Sequence, residues 1–328
     1  MANDPRTVLP SEPLNRVLRV AFFGTPALAL PTLNALLDRP DLCEVVLVVA
    51  QPDKPSGRGR KLSPPPVAAR ATELGLPLLQ PSKVRTGAFP EALEALDLDV
   101  AVVIAYGRIL TTRHLQTPRY GCINVHASLL PAWRGAGPIQ WALASGDAQT
   151  GVTTMWMEEG LDTGPMLRVA REEIRPDDTA ATLGQRLAAL GARTLIETLE
   201  LLVAGRLAAV DQPEAGVSLA PMLRKEDGRI DFGGPARAVS AHARGMTPWP
   251  GAVCGYRGAE LKIHGIGEAT GIGPPGVVLK ADAEGIVVAC AEGAVVLTRL
   301  QPPGKRALDV ADFLNGYPVE IGESLRLS

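Results

Sequence analysis

Asn124 and His126 stand two residues apart at the end of the apolar run Gly121-Cys122-Ile123-Asn124-Val125-His126, and Asp162 lies in the glycine-bounded segment Gly160-Leu161-Asp162-Thr163-Gly164. On a strand, side chains two apart share a face, about 6.5–7 Å from each other. An amide that donates hydrogen bonds beside an imidazole that can carry a proton suits a reaction passing through a tetrahedral oxyanion. Such a pair needs a carboxylate to orient the imidazole, and Asp162 is the candidate. Taken singly, each has a plainer reading: an Asn and a His capping a strand end, and an Asp making an Asx turn.

Other chemistries find little support. His114, His126, His242 and His264 form no HExxH pair and no close cluster with cysteine, so no metal is expected. A GxSxG nucleophile elbow is absent. Phe23-Gly24-Thr25-Pro26 lacks the GxGxxG spacing of a dinucleotide site, and Gly57-Arg58-Gly59-Arg60-Lys61 lacks the glycine spacing and hydroxyl of a P-loop. Cys43, Cys122, Cys254 and Cys290 are far apart in apolar runs and read as small buried hydrophobes in a reduced compartment.

The elements that must position the set come from a chain of 328 residues, 46% hydrophobic and 21% charged, a globular profile that excludes a disordered one. No apolar run approaches the ~18 residues of a membrane span. Met1 to Asn15 carries three prolines and no hydrophobic segment, so the expectation is a cytoplasmic protein with a flexible tail over residues 1–17. Strand, glycine turn and helix follow one another from Leu18 to Leu37. Further apolar strands are expected at Glu44 to Ala50, Leu76 to Leu79, Leu98 to Ala105, Gly121 to Val125 and Val152 to Met157. Helices are expected at Val67 to Leu74, Glu91 to Leu96, Pro138 to Ser145 and Thr179 to Val203. This alternation defines an α/β class, a Rossmann-like doubly wound parallel sheet over 18–205. Residues 206–222 read as a linker. Residues 223–328 change texture to short Val/Ile-rich strands separated by glycine, the pattern of a small β-barrel of the oligonucleotide-binding type.

The order of these motifs carries a resemblance. Phe22-Phe23-Gly24-Thr25-Pro26, Gln51-Pro52-Asp53-Lys54-Pro55 with Gly57-Arg58-Gly59, Ala105-Tyr106-Gly107, the block Asn124 to Gly135, Gly160 to Gly164 and Thr247-Pro248-Trp249-Pro250 together resemble the folate-dependent formyltransferases, and among them those that act on tRNA. The resemblance runs from about Arg19 to beyond Pro250 and implies Asn124, His126 and Asp162 as the formyl-transfer site. It implies 10-formyltetrahydrofolate as the formyl donor, bound along Ser128, Leu129, Leu130 and Pro131. It also implies methionyl initiator tRNA as acceptor, giving N-formylmethionyl-tRNA for translation initiation.

Members of the wider family that act on sugar-nucleotide amines share the Asn/His/Asp set, so the acceptor rests on other residues. Between Gln51 and Arg70 five basic side chains face a single acid, Asp53, in a chain of formal charge −2. That loop resembles the insertion that reaches the acceptor stem in tRNA-acting members, with Arg58 matching its arginine and Arg60 and Lys61 beside it. The C-terminal barrel is the expected second tRNA-binding element, and a monomer is the expected state. The chain departs from the pattern in some 17 residues ahead of the first strand and in Thr111, where relatives often have proline. A non-catalytic RNA-binding protein on an old enzyme fold is the remaining reading, and the intact set argues against it. Leu130-Pro131 is expected to be trans, as X-Pro bonds ordinarily are.

Overall fold

The structure is a computed structural model and describes residues 9–56 and 61–327. Its elements begin with β1 (Leu18–Gly24), α1 (Leu30–Leu37), β2 (Cys43–Val49), β3 (Lys54–Ser56), β4 (Lys61–Ser63), α2 (Pro66–Glu73), β5 (Leu78–Leu79), α3 (Phe89–Glu94) and β6 (Val100–Ile104). They continue with α4 (Thr112–Gln116), β7 (Cys122–His126), β8 (Arg134–Gly135), α5 (Pro138–Ala144), β9 (Gln149–Trp156), β10 (Met166–Glu173), α6 (Ala180–Val203) and β11 (Leu219–Ala220). The last are α7 (Ala236–Gly245), β12 (Ala252–Tyr256), β13 (Ala259–Ala269), β14 (Val278–Asp282), β15 (Gly285–Ala289), β16 (Ala294–Gln301), β17 (Leu308–Asp309) and α8 (Val310–Gly316).

Two compact units emerge, and they interleave along the chain more than the linear division into 18–205 and 223–328 foresees. The first takes the described residues of Met1–Ala136, Gly151–Glu172 and Gly184–Leu219; the second takes Gly137–Thr150, Glu173–Leu183 and those of Ala220–Ser328. Helix α5 goes with the second because α7 lies against it: a Cβ on Gly245 would stand 2.6 Å from the Gln140 carbonyl oxygen.

The large sheet runs in the order β10-β9-β7-β6-β1-β2-β5. The pairs β7·β6, β6·β1, β1·β2 and β2·β5 are parallel, and β9 joins β7 antiparallel. Continuous apolar runs such as Val100–Ile104, buried at every position, suit strands covered on both faces. The sequence marks no element at 112–116 or 166–173, where α4 and β10 form. Helix α4 is five residues long, and the edge strand β10 is mostly exposed or half-buried, so neither shows a long apolar period.

Part of the expected tail is anchored in the first unit. The Leu14 N–H donates to the Val203 carbonyl at 2.7 Å, and the Arg16 guanidinium makes a two-pronged pair with the buried Asp99 carboxylate. Burial pushes the Asp99 carboxyl up, but Arg16 and the Arg19 N–H outweigh it and hold the group below the usual carboxylate range. A carboxyl lowered in the folded state contributes stability that is present above its unfolded pKa and lost as pH falls through its folded one. Arg16→Ala is therefore expected to cost about 1–3 kcal/mol near neutrality by leaving that charge unpaired. In urea unfolding the difference from wild type should close below about pH 4, as Asp99 takes up its proton. A difference that held constant to lower pH would contradict the pairing.

In the second unit β12, β13, β16, β15 and β14 follow one another as antiparallel neighbours, with β17 on β16. The C-terminal segment bridges the two outer strands. Val278 N–H donates to the Glu323 carbonyl at 2.9 Å, Leu325 N–H to Gly276 at 2.8 Å, and Gly255 N–H to Leu325 at 2.8 Å. This closes the expected barrel around Phe232, Ile263, Val288, Leu297 and Phe313. Only glycine admits the approach at 255, where a Cβ would fall 2.1 Å from the Arg326 carbonyl oxygen.

Candidate active site

Strand β7 lies inside the large sheet, with Asn124 opposite Val103 on β6 and Met155 on β9, and with His126 opposite Thr153. Both side chains meet the carboxylate of Asp162, which the loop between β9 and β10 returns to the end of β7. Asn124 Nδ2 donates to Asp162 Oδ1 at 3.2 Å, and the Gly135 N–H donates to Oδ2 at 2.8 Å. The same Oδ2 stands 3.6 Å from His126 Nδ1.

His126 Nε2 lies 2.9 Å from the Trp133 carbonyl oxygen. A carbonyl only accepts, so the ring proton sits on Nε2 and Nδ1 is left facing the carboxylate. The imidazole is 5% exposed and Asp162 is 15% exposed, so charge that develops here is poorly screened by water. The Nδ1 to Oδ2 gap is longer than a direct hydrogen bond and leaves Nδ1 as the ring atom a reacting group can meet. Asn124 likewise keeps a second amide hydrogen beyond the one directed at Asp162.

Backbone conformation at the site is unusual for the residues that hold it. Asp162 has φ +51° and Trp133 φ +61°, in the left-handed region that costs most side chains about 1–3 kcal/mol. Gly164 sits where a Cβ would be 1.9 Å from the Trp156 carbonyl oxygen, so the Asp162 loop packs on the end of β9 only with glycine there.

The turn from Ser128 to Pro131 spends most of its polar groups on itself. Ser128 is fully buried, and its hydroxyl donates to the Ala132 carbonyl at 2.5 Å. The Thr153 hydroxyl donates to the Ser128 carbonyl at 2.8 Å and accepts the Leu130 N–H at 3.2 Å. Ser128 and buried Leu130 thus shape the turn, while Leu129 and Pro131 are its half-buried members. The Leu130-Pro131 bond is cis, against expectation, as are Thr247-Pro248 and Trp249-Pro250.

Three further motifs join at the ends of β1, β2 and β6. Thr25 Oγ1 donates to the Tyr106 carbonyl at 2.9 Å, and Gln51 Nε2 donates to the same oxygen at 2.9 Å and to Gly107 at 3.2 Å. The basic segment beyond Gln51 forms a two-stranded ribbon, with Lys54 opposite Ser63 and Ser56 opposite Lys61. Lys61 is exposed on it; Arg58 and Arg60 lie outside the described residues.

Several groups that hold the site have no clear mark in the sequence: the Trp133 carbonyl, the Gly135 N–H, and Gln212 and Ser218 from the expected linker. Among the described residues no group of three or more His, Cys, Asp or Glu side chains could hold a metal ion. The four cysteines are free and buried, and burial pushes the Cys122 and Cys254 thiols up to about 12.

An α/β domain with a mostly parallel sheet, followed along the chain by a small antiparallel barrel, places the protein among the formyl-group transferases. Residues 18–199 match the family model described as formyl transferase, and residues 222–318 match the formyl transferase C-terminal domain. The chain belongs to the methionyl-tRNA formyltransferase family: it is 48% identical to the methionyl-tRNA formyltransferase of Geotalea uraniireducens, over 94% of this chain and 98% of that one. The corresponding Myxococcus xanthus protein is 49% identical over 93% of this chain and 96% of its own length.

Solved structures share the fold at lower identity. An N-formyltransferase from Helicobacter canadensis, in complex with folinic acid and dTDP-3-aminofucose, aligns with a TM-score of 0.65 at 15% identity, over 86% of this chain and 99% of that one. HypX from Aquifex aeolicus in complex with tetrahydrofolic acid aligns with a TM-score of 0.60 at 18% identity, over 94% of this chain and 49% of its own.

Proposed function

We propose that the protein transfers the formyl group of 10-formyltetrahydrofolate to the α-amine of methionyl initiator tRNA, at a site made by Asn124, His126 and Asp162. The observation that carries this reading is the Asp162 carboxylate, which accepts from Asn124 and faces His126 Nδ1, in a chain whose near-full-length relatives are methionyl-tRNA formyltransferases. The neutral amine attacks the formyl carbon, the carbonyl oxygen takes the negative charge, and the attacking nitrogen, cationic after addition, gives a proton to the open His126 Nδ1. The second Asn124 amide hydrogen and His126 are placed to stabilise that oxyanion. Collapse breaks the bond from the formyl carbon to N10 of the folate, which needs a proton. His126 is the group to deliver it, and the Asp162 carboxylate beside Nδ1 stabilises the charge the ring carries. No step calls for a metal.

The Ser128 to Pro131 turn fits a donor-binding role through its shape, with Leu129 and Pro131 supplying apolar surface and Ser128 and Leu130 keeping the turn in place. Arg58, Arg60 and Lys61 are assigned to the tRNA backbone, where concentrated basic side chains supply affinity. Residues 223–328 are assigned as the second tRNA-binding element. The protein works in this reading as a cytoplasmic monomer.

Comparing two acceptors tests the assignment of the basic loop. Arg58→Ala is expected to reduce kcat/KM for methionyl-tRNA by about 10-fold or more, the range of a lost charge-assisted contact. Transfer to a minimal methionyl ester should stay near wild type. Equal losses with both acceptors would remove Arg58 from tRNA recognition.

A further inference from the structure

Residues 211–219 have the composition of a connecting loop, and all but two of them are exposed. The exceptions are Gln212 and Ser218, both half-buried. Gln212 Nε2 donates to the carbonyl oxygens of Asp162 and Gly164, each at 2.8 Å. Its Oε1 accepts from Arg134 Nε at 3.0 Å and Arg134 Nη2 at 2.7 Å. Ser218 Oγ accepts the Trp133 N–H at 2.9 Å, and the Ser218 carbonyl accepts the Arg134 N–H at 2.9 Å.

These bonds converge on two backbone stretches. One is the loop whose Asp162 has φ +51° and carries the orienting carboxylate. The other is the segment Trp133–Gly135, whose Trp133 carbonyl holds His126 Nε2 and whose Gly135 N–H holds Asp162 Oδ2. Gln212, which belongs to neither stretch, is bonded to both. Its amide uses its two N–H groups on the Asp162 loop and its oxygen on the Arg134 guanidinium, so one side chain ties that loop to the side chain of the residue between Trp133 and Gly135. A left-handed, carboxylate-bearing loop persists only when its surroundings over-determine it.

We infer that Gln212 is a positioning residue for formyl transfer: it fixes the Asp162 loop relative to the Trp133–Gly135 segment and thereby sets the His126 Nδ1 to Asp162 Oδ2 separation. The inference rests on the function proposed above. Gln212 touches neither the Asn124 nor the His126 side chain in the bonds described, so its effect must pass through Asp162 and Arg134.

The test compares steady-state formyl transfer from 10-formyltetrahydrofolate to methionyl initiator tRNA by wild-type, Gln212→Ala, Gln212→Glu and Asp162→Ala proteins, and by the Gln212→Ala/Asp162→Ala double variant. Gln212→Ala is expected to lower kcat by about 10- to 100-fold, the scale of a misplacement near 1 Å. KM for both substrates should stay within about threefold, because ground-state binding is not what is lost. Gln212→Glu keeps the size of the side chain but sets a carboxylate oxygen against two carbonyls, so its kcat should fall as far. In the Asp162→Ala background, Gln212→Ala should add almost nothing, since residues acting through one group are not additive. A Gln212→Glu protein with wild-type kcat would overturn the proposal, whatever the stability of the alanine variant. So would a full additional loss in the double variant. Absence of transfer by the wild-type protein would overturn the functional reading itself, whereas wild-type transfer with unchanged Gln212 variants would overturn only the positioning role.

Discussion

His126→Ala is expected to lower the kcat of formyl transfer by about 10²–10³, the loss that follows removal of one preorganised donor to an oxyanion. The ring is held at Nε2 by the Trp133 carbonyl and faces the Asp162 carboxylate through Nδ1. Removing the ring leaves a small void beside Thr153 but no unpaired charge that was not already hydrogen-bonded, because Asp162 keeps Asn124 and the Gly135 N–H. The fold should survive, with a modest fall in the thermal midpoint, and donor binding measured by calorimetry should stay close to wild type. Asn124→Ala is expected to fall in the same range, since it removes the second donor directed at the same oxygen. Near-wild-type turnover of His126→Ala would exclude the mechanism.

Asp162→Ala carries the other large effect, about 10²–10⁴ in kcat, on the scale of losing the carboxylate that orients a catalytic imidazole. Three donors converge on this one group: the Asn124 amide, the Gly135 N–H and His126 Nδ1 when protonated. Alanine strands all three at once. Asp162→Asn is nearly isosteric, yet it presents an N–H to a place where donors gather, so it should recover little. Both variants can be checked by single-turnover transfer at saturating donor, which separates chemistry from product release. Full activity of Asp162→Asn would show that charge at this position is unnecessary and that the carboxylate serves only packing.

Asn124 and His126 were legible because strand periodicity is local: an apolar run with polar residues two apart states both the element and the shared face. Asp162 was legible only in company, since nothing in Gly160 to Gly164 says that the loop folds back to β7. Its return depends on Gly164 against the Trp156 carbonyl and on Gln212, contacts between residues distant in sequence. Gln212 itself lies between Asp211 and Pro213, and composition there describes a connector rather than a clamp. The same limit explains Ser128, a hydroxyl in a matched motif that the structure turns inward onto Ala132. Strands with continuous apolar runs lie within a few residues of the bounds their sequence implies. The five-residue α4 and the polar edge strand β10 lack the period that makes an element readable. The interleaving of the two units follows from α5 packing against α7, a tertiary choice that no local pattern announces.

The most direct measurement is formyl transfer from 10-formyltetrahydrofolate by the purified protein to methionyl initiator tRNA, run beside methionyl elongator tRNA and an amino-sugar nucleotide. Product is expected on the initiator tRNA, much less on the elongator, and none on the sugar. Transfer confined to the sugar nucleotide would keep Asn124, His126 and Asp162 in their roles and contradict the acceptor, while no transfer to any of the three would contradict the enzyme.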